Sequence, residues 1–175
     1  MQRSLVGSEM CIRDRLTIAP TFMGVEPNVI DRGDEHDCTL FTDEEHDGLA
    51  LMQSLTPEQQ AQATLFREME DPLMPPERFN FADQRHLGGA FQDNRIIPYE
   101  GICVAQFNAE QRQKLMTTVG RFLDLLPDGP RQARLALIER YLDETWWGWS
   151  GGCSDDDVFY YRIQSPVVML EFDHH

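Results

Sequence analysis

The chain has 175 residues, of which 41% are hydrophobic and 10% aromatic, a composition of globular rather than disordered proteins. Asp and Glu outnumber Lys and Arg by 30 to 15, and the formal net charge of -15 repels phosphate backbones, which argues against nucleic acid as a partner. No run approaches the roughly 20 apolar residues that a membrane helix needs, so no membrane partner is expected either.

Leu5 to Asp14 reads Leu-Val-Gly-Ser-Glu-Met-Cys-Ile-Arg-Asp, the translation of a transposase library adapter and its mosaic end. Met1–Arg15 is therefore expected to be adapter-derived and is set aside from fold reasoning. Without Arg3, Arg13, Arg15, Glu9 and Asp14 the net charge becomes -16. Residues 16–175 are expected to form one domain whose natural start, with any targeting signal, is missing, which leaves the compartment open. Cys38, Cys103 and Cys153 remain after Cys11 is discarded. They lie far apart with no C-x-x-C pair, the pattern of ordinary free thiols.

Pro20, Gly24, Pro27 and Gly33 mark residues 16–37 as an irregular lead-in. Thr42-Asp43-Glu44-Glu45 has the form of a capping box, and Leu49, Met52 and Leu55 follow at helical spacing. Thr56-Pro57-Glu58-Gln59 starts a second helix, with proline where its missing N–H costs nothing and Ala61, Leu65 and Phe66 on the buried side. Asp71–Phe91, with three prolines and Gly88-Gly89, is a long loop of the kind that is uncommon unless functional. A strand is expected over Ile102–Phe107. Asn108 and Gln111 cap a helix over Ala109–Leu126 with the stripe Leu115, Val119, Phe122, Leu123 and Leu126. Past Pro127-Asp128-Gly129-Pro130, a helix over Arg131–Glu144 carries Leu135, Ile138, Tyr141 and Leu142 and pairs antiparallel with it. Trp146-Trp147-Gly148-Trp149 closes the helical region. Val158–Ile163 and Val167–Phe172 form a β-hairpin across Gln164-Ser165-Pro166. The fold class is α+β, with helices, including an antiparallel helical hairpin, packed on a small antiparallel sheet. The two strands need a neighbour, either Ile102–Phe107 or strands further downstream. An unpaired edge is expected, whose exposed backbone groups and apolar residues Val168, Leu170 and Phe172 would favour aggregation.

Strand alternation places Glu171, Asp173 and His175 on one face of the last strand, with Phe172 and His174 on the other. Two carboxylates and an imidazole suit a divalent metal, iron or manganese as readily as zinc, whereas a solvated strand end is the bland alternative. Asp155-Asp156-Asp157 lacks the spacing of a calcium loop and reads as a polar turn. His36 and His46 read as surface residues, and His86 sits in the long loop. Trp146, Trp147 and Trp149 form either a stacking platform or, with Tyr160 and Tyr161, part of a sheet core. No G-x-S-x-G elbow, phosphate loop or G-x-G-x-x-G run is present.

Residues 93–101 (Asp-Asn-Arg-Ile-Ile-Pro-Tyr-Glu-Gly), the segment from Trp147 to Gly151, and Tyr160-Tyr161-Arg162-Ile163 through Pro166 to Glu171-Phe172-Asp173-His174-His175 form three ordered motifs. Together they resemble the family named domain of unknown function 3500. In that family the chain runs on to a histidine-x-histidine element and a D-Y-G segment, so the resemblance implies truncation at both ends. The family has no assigned activity. The resemblance implies that Glu171, Asp173, His174 and His175 lie beside a downstream histidine pair, which favours a metal site. Two functions stay open. One is a metal-dependent enzyme of oxygenase or hydrolase type, with substrate held under the long loop. The other is a non-catalytic module for a small molecule or carbohydrate, with Trp147, Trp149 and Tyr161 lining an aromatic groove.

Overall fold

A computed structural model describes residues 21–25, 28–78, 87 and 96–174. The elements in chain order are β1 (Thr21–Val25), α1 (Thr42–Ser54), α2 (Pro57–Ala63), β2 (Thr64–Phe66), β3 (Ile102–Cys103), α3 (Ala109–Phe122), α4 (Asp128–Arg140), β4 (Trp146–Gly151), β5 (Phe159–Gln164) and β6 (Met169–His174). The strands form one six-stranded sheet in the order β1-β6-β5-β4-β2, with β3 also on β4. Strand β1 runs parallel to β6 and β2 parallel to β4, while β3–β4, β4–β5 and β5–β6 are antiparallel. The fold is α+β, as composition and periodicity indicate.

Several boundaries are decided by hydrogen bonds that local pattern does not reveal. The Thr56–Gln59 and Asn108–Gln111 capping boxes both form. The expected Thr42 cap does not. Phe41 occupies that position in the left-handed region (φ 57°) without a side-chain bond, because its ring packs on the core. In the second helix Ala63 is buried and Ala61 exposed, and Leu65 and Phe66 lie on β2 instead. Strand β3 ends at Cys103, short of Phe107: Val104 N–H donates to Thr145 O at 2.8 Å and the chain turns into a 3₁₀ helix, Val104–Gln106. Helix α4 begins at Asp128 rather than beyond Pro130, since a proline in the first turn withholds an N–H that has no intrahelical acceptor. Arg131 N–H then closes that turn on Pro127 O at 2.9 Å. The helix ends at Arg140, and Leu142–Glu144 continues as a 3₁₀ turn.

The sheet corrects two larger expectations. The tryptophan segment is not a closure of the helical region but the strand β4, bonded to β5 on one side and to β2 and β3 on the other. Strand β6 has no open edge, because β1, from the supposed irregular lead-in, pairs with it from Thr21↔Leu170 to Val25↔His174. Val168, Leu170 and Phe172 are accordingly buried.

Register assigns Met23, Trp147, Trp149, Phe159, Tyr161, Ile163, Leu170 and Phe172 to one face of the sheet. Helices α1 and α3 cover this apolar face. Tyr161 stacks on Trp147 with ring centroids 4.9 Å apart and meets Phe122 edge-on at 6.3 Å. Its hydroxyl donates to Glu44 O at 2.9 Å. Gly48 permits that approach, since a Cβ there would lie 2.3 Å from the Tyr161 ring. Arg121 ties α3 to α1 through Asp47 (2.8 Å) and Asp43 (2.9 Å). The α3 stripe of Leu115, Val119 and Phe122 is buried, with Leu123 and Leu126 just beyond it. Helix α4 contacts α3 across the short turn through Leu123–Pro127, and Ile138 is its buried anchor.

Candidate functional site

The opposite face of the same strands is polar and yet also buried. Strand β4 contributes Gly148 and Ser150, β5 contributes Tyr160, Arg162 and Gln164, and β6 contributes Glu171 and Asp173. Cross-strand register pairs Arg162 with Glu171 and Tyr160 with Asp173. Arg162 and Glu171 are each 1% exposed and Asp173 is 5% exposed. Ordinarily the polar face of an antiparallel sheet meets water. Here Leu87, Ile97, Pro98 and Glu100, from between β2 and β3, bond to it.

Leu87 N–H donates to Glu171 Oε1 at 2.7 Å, and Tyr160 Oη–H donates to the same oxygen at 2.6 Å. Arg162 Nη2 donates to Glu100 Oε2 at 2.9 Å and to Pro98 O at 3.3 Å, while Gln164 Nε2 donates to Ile97 O at 3.0 Å. Arg78 forms a second ion pair with Glu100. Glu100 is presented by Gly101, whose φ of +90° and contact with the Trp147 backbone leave no room for a Cβ. Burial raises the Glu100 carboxyl, but hydrogen bonds and charge from Arg78 and Arg162 outweigh it, and the net shift is downward. Burial pushes the Tyr160 phenol well above its ordinary range, and the Glu171 charge adds to this. Tyr160 therefore stays protonated and acts as a donor that fixes the Glu171 carboxylate. A small, partly open pocket of about 10 Å³ lies here, lined by Leu65, Phe66, Leu87, Ser150, Tyr160 and Arg162 among others. Arg162 Nη1 is buried and has no hydrogen-bond partner.

The four residues singled out from the sequence are only partly brought together. Glu171 and Asp173 share the polar face. His174 faces the other way, 5.0 Å from the Phe159 ring and with Nδ1 3.6 Å from Glu45 Oε2. His175 and His86 lie outside the described residues, as does Met1–Arg15. Among the described residues no group of three His, Cys, Asp or Glu side chains could hold a metal ion. The aromatic groove does not form: Trp147, Trp149 and Tyr161 are 0% exposed and stack within the core, leaving no ring face for a ligand. Trp146, partly exposed, stacks on Tyr99 at 6.4 Å. His36 and His46 are exposed, and Cys38, Cys103 and Cys153 are free thiols. Asp157 and Asp155 accept from Ser154 N–H (2.8 Å) and Gln53 Nε2 (3.0 Å), as residues of a turn. Sequence reading missed Arg162, Tyr160, Glu100 and Arg78 as a unit. The available signal was Arg162 itself, a charge inside an aromatic strand with Tyr161 and Ile163 on the opposite face.

A family model described as protein of unknown function, DUF3500, matches residues 6–175. The chain belongs to this family. The three motifs that carry the resemblance meet in the polar site: residues 93–101 supply Ile97, Pro98 and Glu100, β4 supplies Ser150, and the hairpin supplies Tyr160, Arg162, Glu171 and Asp173. The matched span begins inside the segment expected to be adapter-derived. No curated protein and no solved structure matches the chain. Among the described residues no helix is long and apolar enough to cross a membrane.

Proposed function

We propose that the polar face of the sheet is the active site of a metal-dependent enzyme of hydrolase or oxygenase type, with Glu171 and Asp173 as carboxylate ligands. The observation that carries this reading is the placement of two carboxylates at alternate positions of β6, both nearly inaccessible. Taking a carboxylate out of water costs several kcal/mol unless a cation or a set of donors compensates. The donors to Glu171 include Tyr160 and the Leu87 amide, both on Oε1.

Carboxylate oxygens suit iron, manganese or zinc in the divalent state. Two such donors are fewer than the three protein ligands usual at catalytic sites. His174 does not add to them from its side of the sheet. A bound metal would supply Lewis-acid activation of water or substrate, or of dioxygen if it is iron. The chain's own residues hold the Glu171 rotamer through Tyr160, exclude bulk water through Leu65, Met74 and Leu87, and anchor Arg78 and Glu100 to β5 through Arg162.

The test is the metal content of the purified full chain, measured by plasma emission after exhaustive dialysis. The expected result is near-stoichiometric metal that is lost in Glu171→Gln and in Asp173→Asn. Background metal in the parent protein, or equal loading in both variants, would overturn the reading.

A further inference from the structure

We propose that the cleft beside β2 binds a small zwitterion with an apolar body, an amino acid or a short peptide, whose carboxylate meets the Arg67 guanidinium and whose ammonium meets the Asp71 carboxylate. Glu171 and Asp173 do not line this cleft, so the inference stands apart from the metal reading.

The cleft has a volume of about 540 Å³, within the range of roughly 300–1,000 Å³ typical of small-molecule sites. Strand β2 ends the sheet on this side. Helix α2 runs directly into β2, and the chain turns beyond it, so that Ala61, Leu65, Phe66 and Leu73 give the cleft an apolar wall. Leu73 is 84% exposed, and an apolar ligand side chain laid against it removes that surface from water.

Among the described residues the charged part of the lining is one cation and one anion, Arg67 and Asp71. Asp71 Oδ2 accepts from Arg67 N–H at 3.1 Å and Oδ1 from Leu73 N–H at 2.8 Å. These two backbone bonds hold the carboxylate in place and use one acceptor site on each oxygen. An ionised carboxylate has about four such sites, so it can still accept from a ligand ammonium. The Arg67 side chain is exposed, and among the described residues its guanidinium pairs neither with Asp71 nor with another carboxylate. One turn thus anchors two opposite charges whose charged ends do not meet. Their combination selects the ligand. A simple anion is repelled by a chain of net charge -15 and faces Asp71, whereas a simple cation leaves Arg67 unmatched. A zwitterion answers both, and its two ends fix its orientation while its side chain lies on the apolar wall.

The experiment is isothermal titration calorimetry of the full chain with leucine and with leucyl-leucine. The controls are the amide of each, which keeps only the ammonium, and the N-acetyl form of each, which keeps only the carboxylate. At least one zwitterion is expected to bind about tenfold more tightly than both of its controls, the factor for one hydrogen bond to a charged group. The tighter of leucine and leucyl-leucine distinguishes a free amino acid from peptide termini as the source. Arg67→Gln keeps the backbone donor to Asp71. It is expected to weaken the zwitterion about tenfold and to leave the amide control unchanged, a selective loss that a general disturbance of the cleft does not produce. Ala61→Trp fills the cleft from an exposed helical position and is expected to abolish binding with an unchanged melting curve. Absence of binding by both zwitterions, a control as tight as its parent, or unaltered zwitterion affinity in Arg67→Gln or in Ala61→Trp each overturns the proposal.

Discussion

The two faces of the sheet are built by the same three central strands and are both buried, yet they are closed by different physics. On the face toward α1 and α3, stacked rings of Trp147, Trp149, Tyr161, Phe159 and Phe172 fill space, and nearly every contact is dispersion and area removed from water. On the other face Arg162, Gln164 and Glu171 bond to Glu100, Pro98, Ile97 and Leu87 from the chain between β2 and β3, and Tyr160 bonds to Glu171. An apolar interface tolerates small changes in shape. A polar one is directional, and each group that loses its partner is penalised. The difference separates a face that supplies stability from one that positions groups able to do chemistry.

Substitutions that touch only one face sharpen this contrast. The largest effect is expected on the apolar face: Phe122→Ala removes a ring that is 1% exposed and should cost about 3–5 kcal/mol. Urea unfolding measures it, and a loss under 1 kcal/mol would show that the helical layer is not packed as described. Tyr160→Phe keeps the ring volume and removes the donor to Glu171, so the expected cost is about 1.5–3 kcal/mol, the range for a hydrogen bond to a charged group. Hydrogen exchange at the Leu87 amide should rise in this variant, because the Glu171 oxygen that holds it is no longer oriented. An unchanged exchange rate would mean that the two bonds are independent.

The smallest effect is a dependence on pH. The Glu100 carboxyl is depressed in the folded chain, so its contribution to stability is present above the ordinary glutamate range and is lost as pH falls through the lower, folded value. Glu100→Gln should therefore flatten the acid limb of the stability profile. The phenol of Tyr160 has the opposite sign: its folded value is raised, so its contribution is present below the ordinary tyrosine range and is lost as pH rises above it. Melting temperatures across the acid range check the Glu100 effect, and parallel profiles for parent and variant would refute it.

Much of the helical layer was legible in the sequence because its signals are local. The Thr56 and Asn108 boxes and the stripe Leu115, Val119, Phe122 act within a few residues of themselves, and each reappears in the structure. The hairpin of β5 and β6 was legible for the same reason: a short connection forces neighbouring strands together. Strands β1, β2 and β4 were not. Thr21–Val25 and Thr64–Phe66 are stable as strands only because distant β6 and β4 complete their hydrogen bonds, and Gly148 interrupts the alternation that would have marked β4. The site divides in the same way. Alternation along β6 was enough to put Glu171 and Asp173 on one face and His174 on the other. The meeting of Arg162 with Glu100 across 62 positions, and of Glu171 with Leu87 across 84, was decided by tertiary structure alone, because the bonds that satisfy a buried charge are set by which segment covers it and not by its neighbours in the chain.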